Sequence, residues 1–360
     1  MSDGSAWGRG PTPRDEMTLS TPARLVILAP NWLGDIVMAL PAMAGVRQAF
    51  PEAHLAVAAR RGLAGLFDAV PSVDEVIPLE GRRRDDAVRL RAGRFDVALL
   101  LPNSFAAAWL AWRAGVAGRW GYRTDGRRLL LTRAIGRPSR QGHQAEYYQE
   151  LVRRLGLAAG PPAPPLQVDE SMRQRARALL ERHGWTAGRP LVGVAPGAAY
   201  GHAKRWPPER FAAVIRALAA DRVQAVVVGT AQDADAALDI ERALGDPGGD
   251  GPVNLVGRTD LAALIGVLSQ CRSVVTNDSG AMHLAAALGV PVTAMFGPTD
   301  ERVTAPLPLT DPGAAGRAHV VLTHAVRCRP CLLRECPIDH RCMTGIRPED
   351  VLAAVRRQLG

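Results

Sequence analysis

The sequence predicts an α/β protein made of two Rossmann-like, doubly wound halves facing one another across a cleft. Three observations carry that expectation. Short β-branched runs alternate with helical patterns through both halves, as parallel βαβ units require. A stiff proline-rich break, AAGPPAPPL from Ala158 to Leu166, interrupts the alternation and marks a domain boundary. Polar, glycine-bearing turns follow several strands, at the end of an open parallel sheet where ligands bind. A length of 360 residues suits two domains, and 47% hydrophobic with 22% charged residues is ordinary for a globular protein.

Taken in order, residues 1–22 are rich in Gly, Pro and Ser without apolar periodicity and are expected to form a disordered leader. The first domain, 23–160, opens with a strand over Arg24 to Ala29 and the turn PNWLGD. A helix is predicted from about Asp35 to Phe50, with Pro41 as a kink, Gly34 permitting the tight turn and Asp35 in the N-cap place. Strands over His54 to Ala59, Glu75 to Leu79 and Phe95 to Leu101 follow, and LPNSF ends the last of them. A helix over Gln144 to Leu155 closes this half. The second domain, 161–327, alternates a helix (Ser171 to His183), LVGVAP, a helix (Pro208 to Ala220), VQAVVVG, a helix (Ala231 to Leu244), NLVG and a helix (Leu261 to Gln270). Then come a strand over Ser273 to Thr276, the turn Asn277 to Gly280, a helix, and a strand over Val292 to Phe296. Residues 328–360 hold a cysteine-rich segment and a last helix from Pro348 to Leu359.

A formal charge of +9 suits anionic partners, although the basic residues are almost all arginine, as a compositional bias would also give. Lys204 is the only lysine. No apolar run reaches membrane-spanning length and no signal-peptide h-region is visible, so a cytoplasmic protein is expected, peripheral to the inner membrane at most. The run Arg82 to Arg84 is read as a solvated face or as a contact for anionic lipid or core phosphates. Trp109 and Trp112 are expected to pack, and Tyr147 and Tyr148 carry no evident chemistry.

Three stretches carry chemistry. Asp278, Ser279 and Gly280 lie where a strand ends and a helix begins, so free N–H groups and the helix dipole favour a phosphate there. Capping is the plain alternative for Asp278 or Ser279. The stretch PGAAYGHAKRWPPERF leaves a strand through Gly197 and Gly201 and presents Lys204, which can neutralise a diphosphate. It lacks the G-x-x-x-x-G-K-[ST] pattern of a P-loop. In NWLGDIVMALPAM, Asp35 stands at the end of the first strand, where a carboxylate facing a diphosphate site can serve as general base.

Asn31 to Asp35, Leu101 to Phe105, Pro196-Gly197-Ala198 with Ala203 to Pro207, and Asn277 to His283 occur in the order and spacing of a known family. Together they resemble the ADP-heptose:lipopolysaccharide heptosyltransferases of glycosyltransferase family 9, inverting enzymes with the GT-B fold. The likeness spans residues 24–359 and is nearer to heptosyltransferase II than to heptosyltransferase I. It implies transfer of L-glycero-D-manno-heptose from ADP-heptose to the heptosyl-Kdo2-lipid A inner core of lipopolysaccharide. Carried over, Asp35 is the catalytic base and Lys204 the phosphate-binding lysine. Asp278, Ser279, Gly280 and His283, with Gly197, form the donor loop region. The resemblance also implies that the last helix returns to the first domain, with the cysteine segment bracing it near the hinge, away from the substrate.

Inverting transfer needs a base and charge stabilisation for departing ADP, and no metal is required if lysine and helix N–H groups supply that charge. GRTD (Gly257 to Asp260) is expected near the adenine and ribose. His202 departs from the small residue or proline of relatives. Cys328, Cys331, Cys336 and Cys342 have spacings that suit a structural zinc site, with His340 and His324 as substitutes, or they are plain reduced thiols. Cys271 is expected to be buried. The competing classes are a transferase with another acceptor, a Rossmann oxidoreductase or sugar-nucleotide epimerase, and a zinc-bearing nucleic-acid module. The oxidoreductase lacks its G-x-G-x-x-G fingerprint, and no nucleic-acid-reading signature is present.

Overall fold

A computed structural model describes residues 21–139, 142–162, 166–245, 251–309 and 318–360. Nearly all of the expected leader and residues 163–165 of the proline-rich break lie outside the described residues. The first sheet contains β1 (Arg24–Leu28), β2 (His54–Arg60), β3 (Glu75–Leu79), β4 (Val97–Leu100), β5 (Gly118–Tyr122) and β6 (Arg133–Ile135). The second contains β7 (Leu191–Ala195), β8 (Gln224–Val227), β9 (Val253–Asn254), β10 (Ser273–Asn277), β11 (Val292–Phe296) and β12 (Val320–Thr323). Their spatial orders are β3-β2-β1-β4-β5-β6 and β12-β11-β10-β7-β8-β9. Read in its own chain order, the second is the first repeated, and the ladders joining these strands are all parallel.

Each order reverses direction once, between β1 and β4 and between β7 and β10. At that point successive helices cover opposite faces of the sheet, leaving a crevice beyond the strand ends. The four motif stretches leave the carboxyl ends of these four strands. Topology therefore gathers them.

The helix Leu33–Ala49 is apolar nearly all round, and Ile36 to Val46 are all buried. A helix of that kind belongs inside a protein. It packs on the helix Gln144–Arg154 and also on the helix Gly280–Ala287 of the second half. It starts two residues earlier than expected: Trp32 holds the cap position without a side-chain bond, and Asp35 lies in the first turn. The chain leaving the first half presses on the same helix, since a Cβ on Gly160 would stand 1.8 Å from the Pro41 carbonyl oxygen.

The last helix, Pro348–Leu359, overturns its expectation by packing on the second half. Val351 and Val355 join Trp206, Phe211 and Met295 in one core. Buried Gln358 accepts hydrogen bonds from Ser273 (2.6 Å) and Thr293 (3.0 Å), and Arg356 pairs with Asp221 (2.8 Å). The apolar stripe meets the helix Pro208–Ala220 and strands β10 and β11 of the second sheet. Trp109 is half-buried, whereas Trp112 is exposed rather than packed. Cys271 is buried, as expected.

Candidate active site

Three of the switch-point turns build the charged part of the site. Beyond β7, a short 3-10 turn, His202–Lys204, carries the lysine inward while His202 stays exposed. Lys204 Nζ donates to Asp278 Oδ2 at 2.5 Å, and the two side chains are only 12% and 5% exposed. Thr299 Oγ1 donates to the same oxygen at 2.7 Å. Buried Asn277 ties the turns together: its amide nitrogen donates to Pro196 O (2.7 Å) and its oxygen accepts from Trp206 N (3.0 Å).

Neither expected cap is used. The helix Gly280–Ala287 has Ser279 at its cap position with no side-chain bond, and Ser279 Oγ meets Thr276 Oγ1 at 3.0 Å instead. The first N–H groups of this helix thus receive no side-chain cap, the arrangement that suits an anion. Gly197 is needed for space, because a Cβ there would lie 2.4 Å from the Asp233 carboxylate. Asp233 faces Arg205 at 3.7 Å and closes a capping box with Thr230.

The first half supplies the opposite wall. Gly34 lies against His283, where a Cβ would come within 2.7 Å of the ring. Gly280 lies nearly as close to Leu33, where a Cβ would stand 2.9 Å away. The two small residues let the helices meet, which brings the next residue, Asp35, within reach of the second half. Burial raises the Asp35 carboxyl above its ordinary value and the Lys204 charge opposes that rise. Burial pushes His283 down to about 4, partly countered by Asp278, so the ring is neutral at pH 7.

Sequence reasoning missed two groups here. His143 caps the helix Gln144–Arg154 through Nδ1 (3.2 Å) and donates from Nε2 to Ala305 O in the second half (2.9 Å). Tyr148 is buried, and burial together with the Asp35 charge keeps its hydroxyl protonated. No spacing flags either residue; both follow from where one helix docks. Asn103, from LPNSF, instead bonds the Tyr147 hydroxyl (2.9 Å). GRTD follows β9, two strands out from β7 and the switch point, with Gly257 N donating to Gly229 O (3.0 Å) and Asp260 capping the next helix.

Cys342 is buried, Cys331 half-buried, and Cys328 and Cys336 exposed. Burial raises the Cys342 thiol and the other three thiols raise it further. Among the described residues no three His, Cys, Asp or Glu side chains stand where they could hold a metal ion. The thiols share a neighbourhood without forming a ligand set.

The comparisons with known proteins agree on one family. A model of glycosyltransferase family 9 (heptosyltransferase) matches residues 84–341. Lipopolysaccharide heptosyltransferase 2 of Escherichia coli K12 is 32% identical over 300 residues, covering 79% of this chain and 85% of that protein. The solved structure of E. coli ADP-heptose lps heptosyltransferase II superimposes with a TM-score of 0.79 at 29% identity, covering 93% of this chain and 98% of that one. A glycosyl transferase family 9 structure from Veillonella parvula gives 0.80 at 23% identity, covering 95% and 98%, a likeness of fold.

Proposed function

The chain belongs to glycosyltransferase family 9 and is a glycosyltransferase of the GT-B fold, and from that premise we propose that it is a heptosyltransferase of lipopolysaccharide core assembly. The donor in this reading is ADP-heptose, the acceptor the heptosyl-Kdo2-lipid A inner core, and the transfer inverts the anomeric centre. The observation that carries it is the buried Lys204–Asp278 pair beside an uncapped helix N-terminus, with half-buried Asp35 one residue from the Gly34–His283 contact between the halves.

In the proposed reaction the acceptor hydroxyl loses its proton to Asp35 as its oxygen attacks the anomeric carbon. The bond from that carbon to the diphosphate breaks on the opposite side, and ADP leaves with the electron pair. Lys204 has three ammonium hydrogens and gives one to Asp278, so two can meet phosphate oxygens. The helix N-terminus at Gly280 adds backbone donors, and together these supply the charge that a metal would otherwise supply. Asp278 and Thr299 keep the lysine placed, and neutral His283 serves as a hydrogen-bonding wall for the sugar. GRTD is proposed for the adenine and ribose.

The acceptor's lipid calls for contact with a membrane surface. Among the described residues no helix is long and apolar enough to cross one. A peripheral contact is supported by exposed Phe105, Trp112 and Leu129 and by the exposed run Arg82 to Arg84. Structural zinc on Cys328, Cys331, Cys336 and Cys342 stays a separate proposal that would need these thiols to close together; metal analysis of protein purified without chelator tests it. Product analysis tests the function. ADP-heptose and a defined heptosyl-Kdo2-lipid A should yield the doubly heptosylated product with inverted anomeric configuration. Hydrolysis alone, or transfer only to another acceptor, would remove the assigned acceptor.

A further inference from the structure

The cysteine-rich segment does not sit at the hinge. It lies on the two loops that carry Lys204 and Thr299, and it holds them by their backbones. Ala203, the residue before Lys204, has both main-chain groups engaged by this segment. Its N–H donates to Arg334 O at 2.9 Å, and its carbonyl accepts from His340 Nε2 at 2.6 Å. A carbonyl has no hydrogen to give, so the His340 proton is on Nε2. The Tyr200 hydroxyl donates to Leu332 O at 2.6 Å, and its ring centre lies 4.9 Å from Lys204 Nζ and 5.3 Å from the Arg334 guanidinium. Gly201 approaches so closely that a Cβ would stand 2.4 Å from Arg334 O.

The other wall is held in the same way. Leu332 N donates to Pro298 O at 2.9 Å. Arg329 donates to Gly297 O (2.7 Å) and Thr299 O (3.1 Å) and pairs with Glu301 (2.6 Å). Thr299 and Lys204 are the two groups that grip Asp278.

We propose that the segment 328–342 is a clamp that presets the nucleotide site, with His340 and Arg329 as its positioning residues. The proposal rests on the reading of Lys204 as a phosphate contact. A lysine ammonium on four methylenes is a poor anion site unless its loop is fixed beforehand, because ordering the loop on binding would offset the contact. Supporting residues of this kind hold the contacting groups in geometry without entering the chemistry.

Calorimetric titration of the full chain with ADP tests this. His340→Ala should weaken ADP binding about three- to tenfold, the range of one net hydrogen bond. His340→Gln, whose amide nitrogen can donate from the Nε2 position, should recover to within about twofold of wild type. ADP affinity unchanged in His340→Ala, or equally lost in His340→Gln, would overturn the clamp. Should His340→Ala fail to fold, hydrogen exchange on the wild-type chain decides: ADP should slow exchange across residues 330–345, and no change there overturns the proposal. Lys204→Ala separates the two readings. If it too leaves ADP binding unchanged, the phosphate assignment falls; if it alone weakens binding, only the clamp does.

Discussion

Lys204 and Asp278 are nearly out of water and depend on each other, so each variant at this pair acts on binding and on folding together. Lys204→Ala should weaken ADP binding by about 1.5–3 kcal/mol, the worth of a charged hydrogen bond, and should lower thermal stability because buried Asp278 loses its counter-charge and keeps only the Thr299 hydroxyl. Lys204→Arg restores charge without the point-like geometry and should recover binding only in part. His283 makes a pH prediction. With its folded value lowered to about 4 against 6.5 unfolded, the unfolded chain binds more protons between those values. Its contribution is therefore full above about pH 6.5 and is lost as pH falls toward 4. Half-buried His319, also lowered to about 4, adds the same slope. His283→Gln should flatten the decline of unfolding free energy across that window, and an unchanged slope would show that His283 is solvated. The strand-end positions of Asp35, Lys204 and Asp278 were legible, though not what their side chains contact; Tyr148 and His143 were not, because only the docking of their helix brings them to the cleft.

Among elements, the long buried strands were legible because β-branched runs repeat in them. Strands β5 and β6 and edge strand β12 were missed: GRWGY carries glycine and arginine, and RAI and VVLT are too short to show alternation. The turn residues proved less legible than the elements around them, since Asp35, Asp278 and Ser279 all look like caps and none caps a helix. The last helix was recognised, but its destination was not, because an amphipathic stripe specifies burial without naming the surface. Gln358 shows what fixes it, with both ends of one amide satisfied by Ser273, Thr293 and the Val292 carbonyl (3.1 Å). Gln358→Ala should cost about 1–3 kcal/mol in chemical denaturation, from the buried groups left unpaired. ADP affinity of the folded protein should stay unchanged, which distinguishes this anchor from the clamp.

Across the whole molecule, two sheets of identical strand order present their switch points to each other, and one buried helix joins the halves. That helix is packed on both sides and carries the candidate base in its first turn. Gly34→Ala should therefore reduce turnover more than ADP binding, since its Cβ would press on His283 across the cleft. Burial also raises the Asp35 carboxyl, so the acid limb of the pH–rate profile should lie above the ordinary aspartate value of 3.8. The central claim is that Asp35 removes the acceptor proton while the second half holds the diphosphate. Turnover and ADP affinity measured on one preparation of Asp35→Asn test it most directly. ADP binding within about twofold of wild type, with turnover lower by roughly two to four orders of magnitude, is the expected result. Near-normal turnover in that variant would contradict the claim.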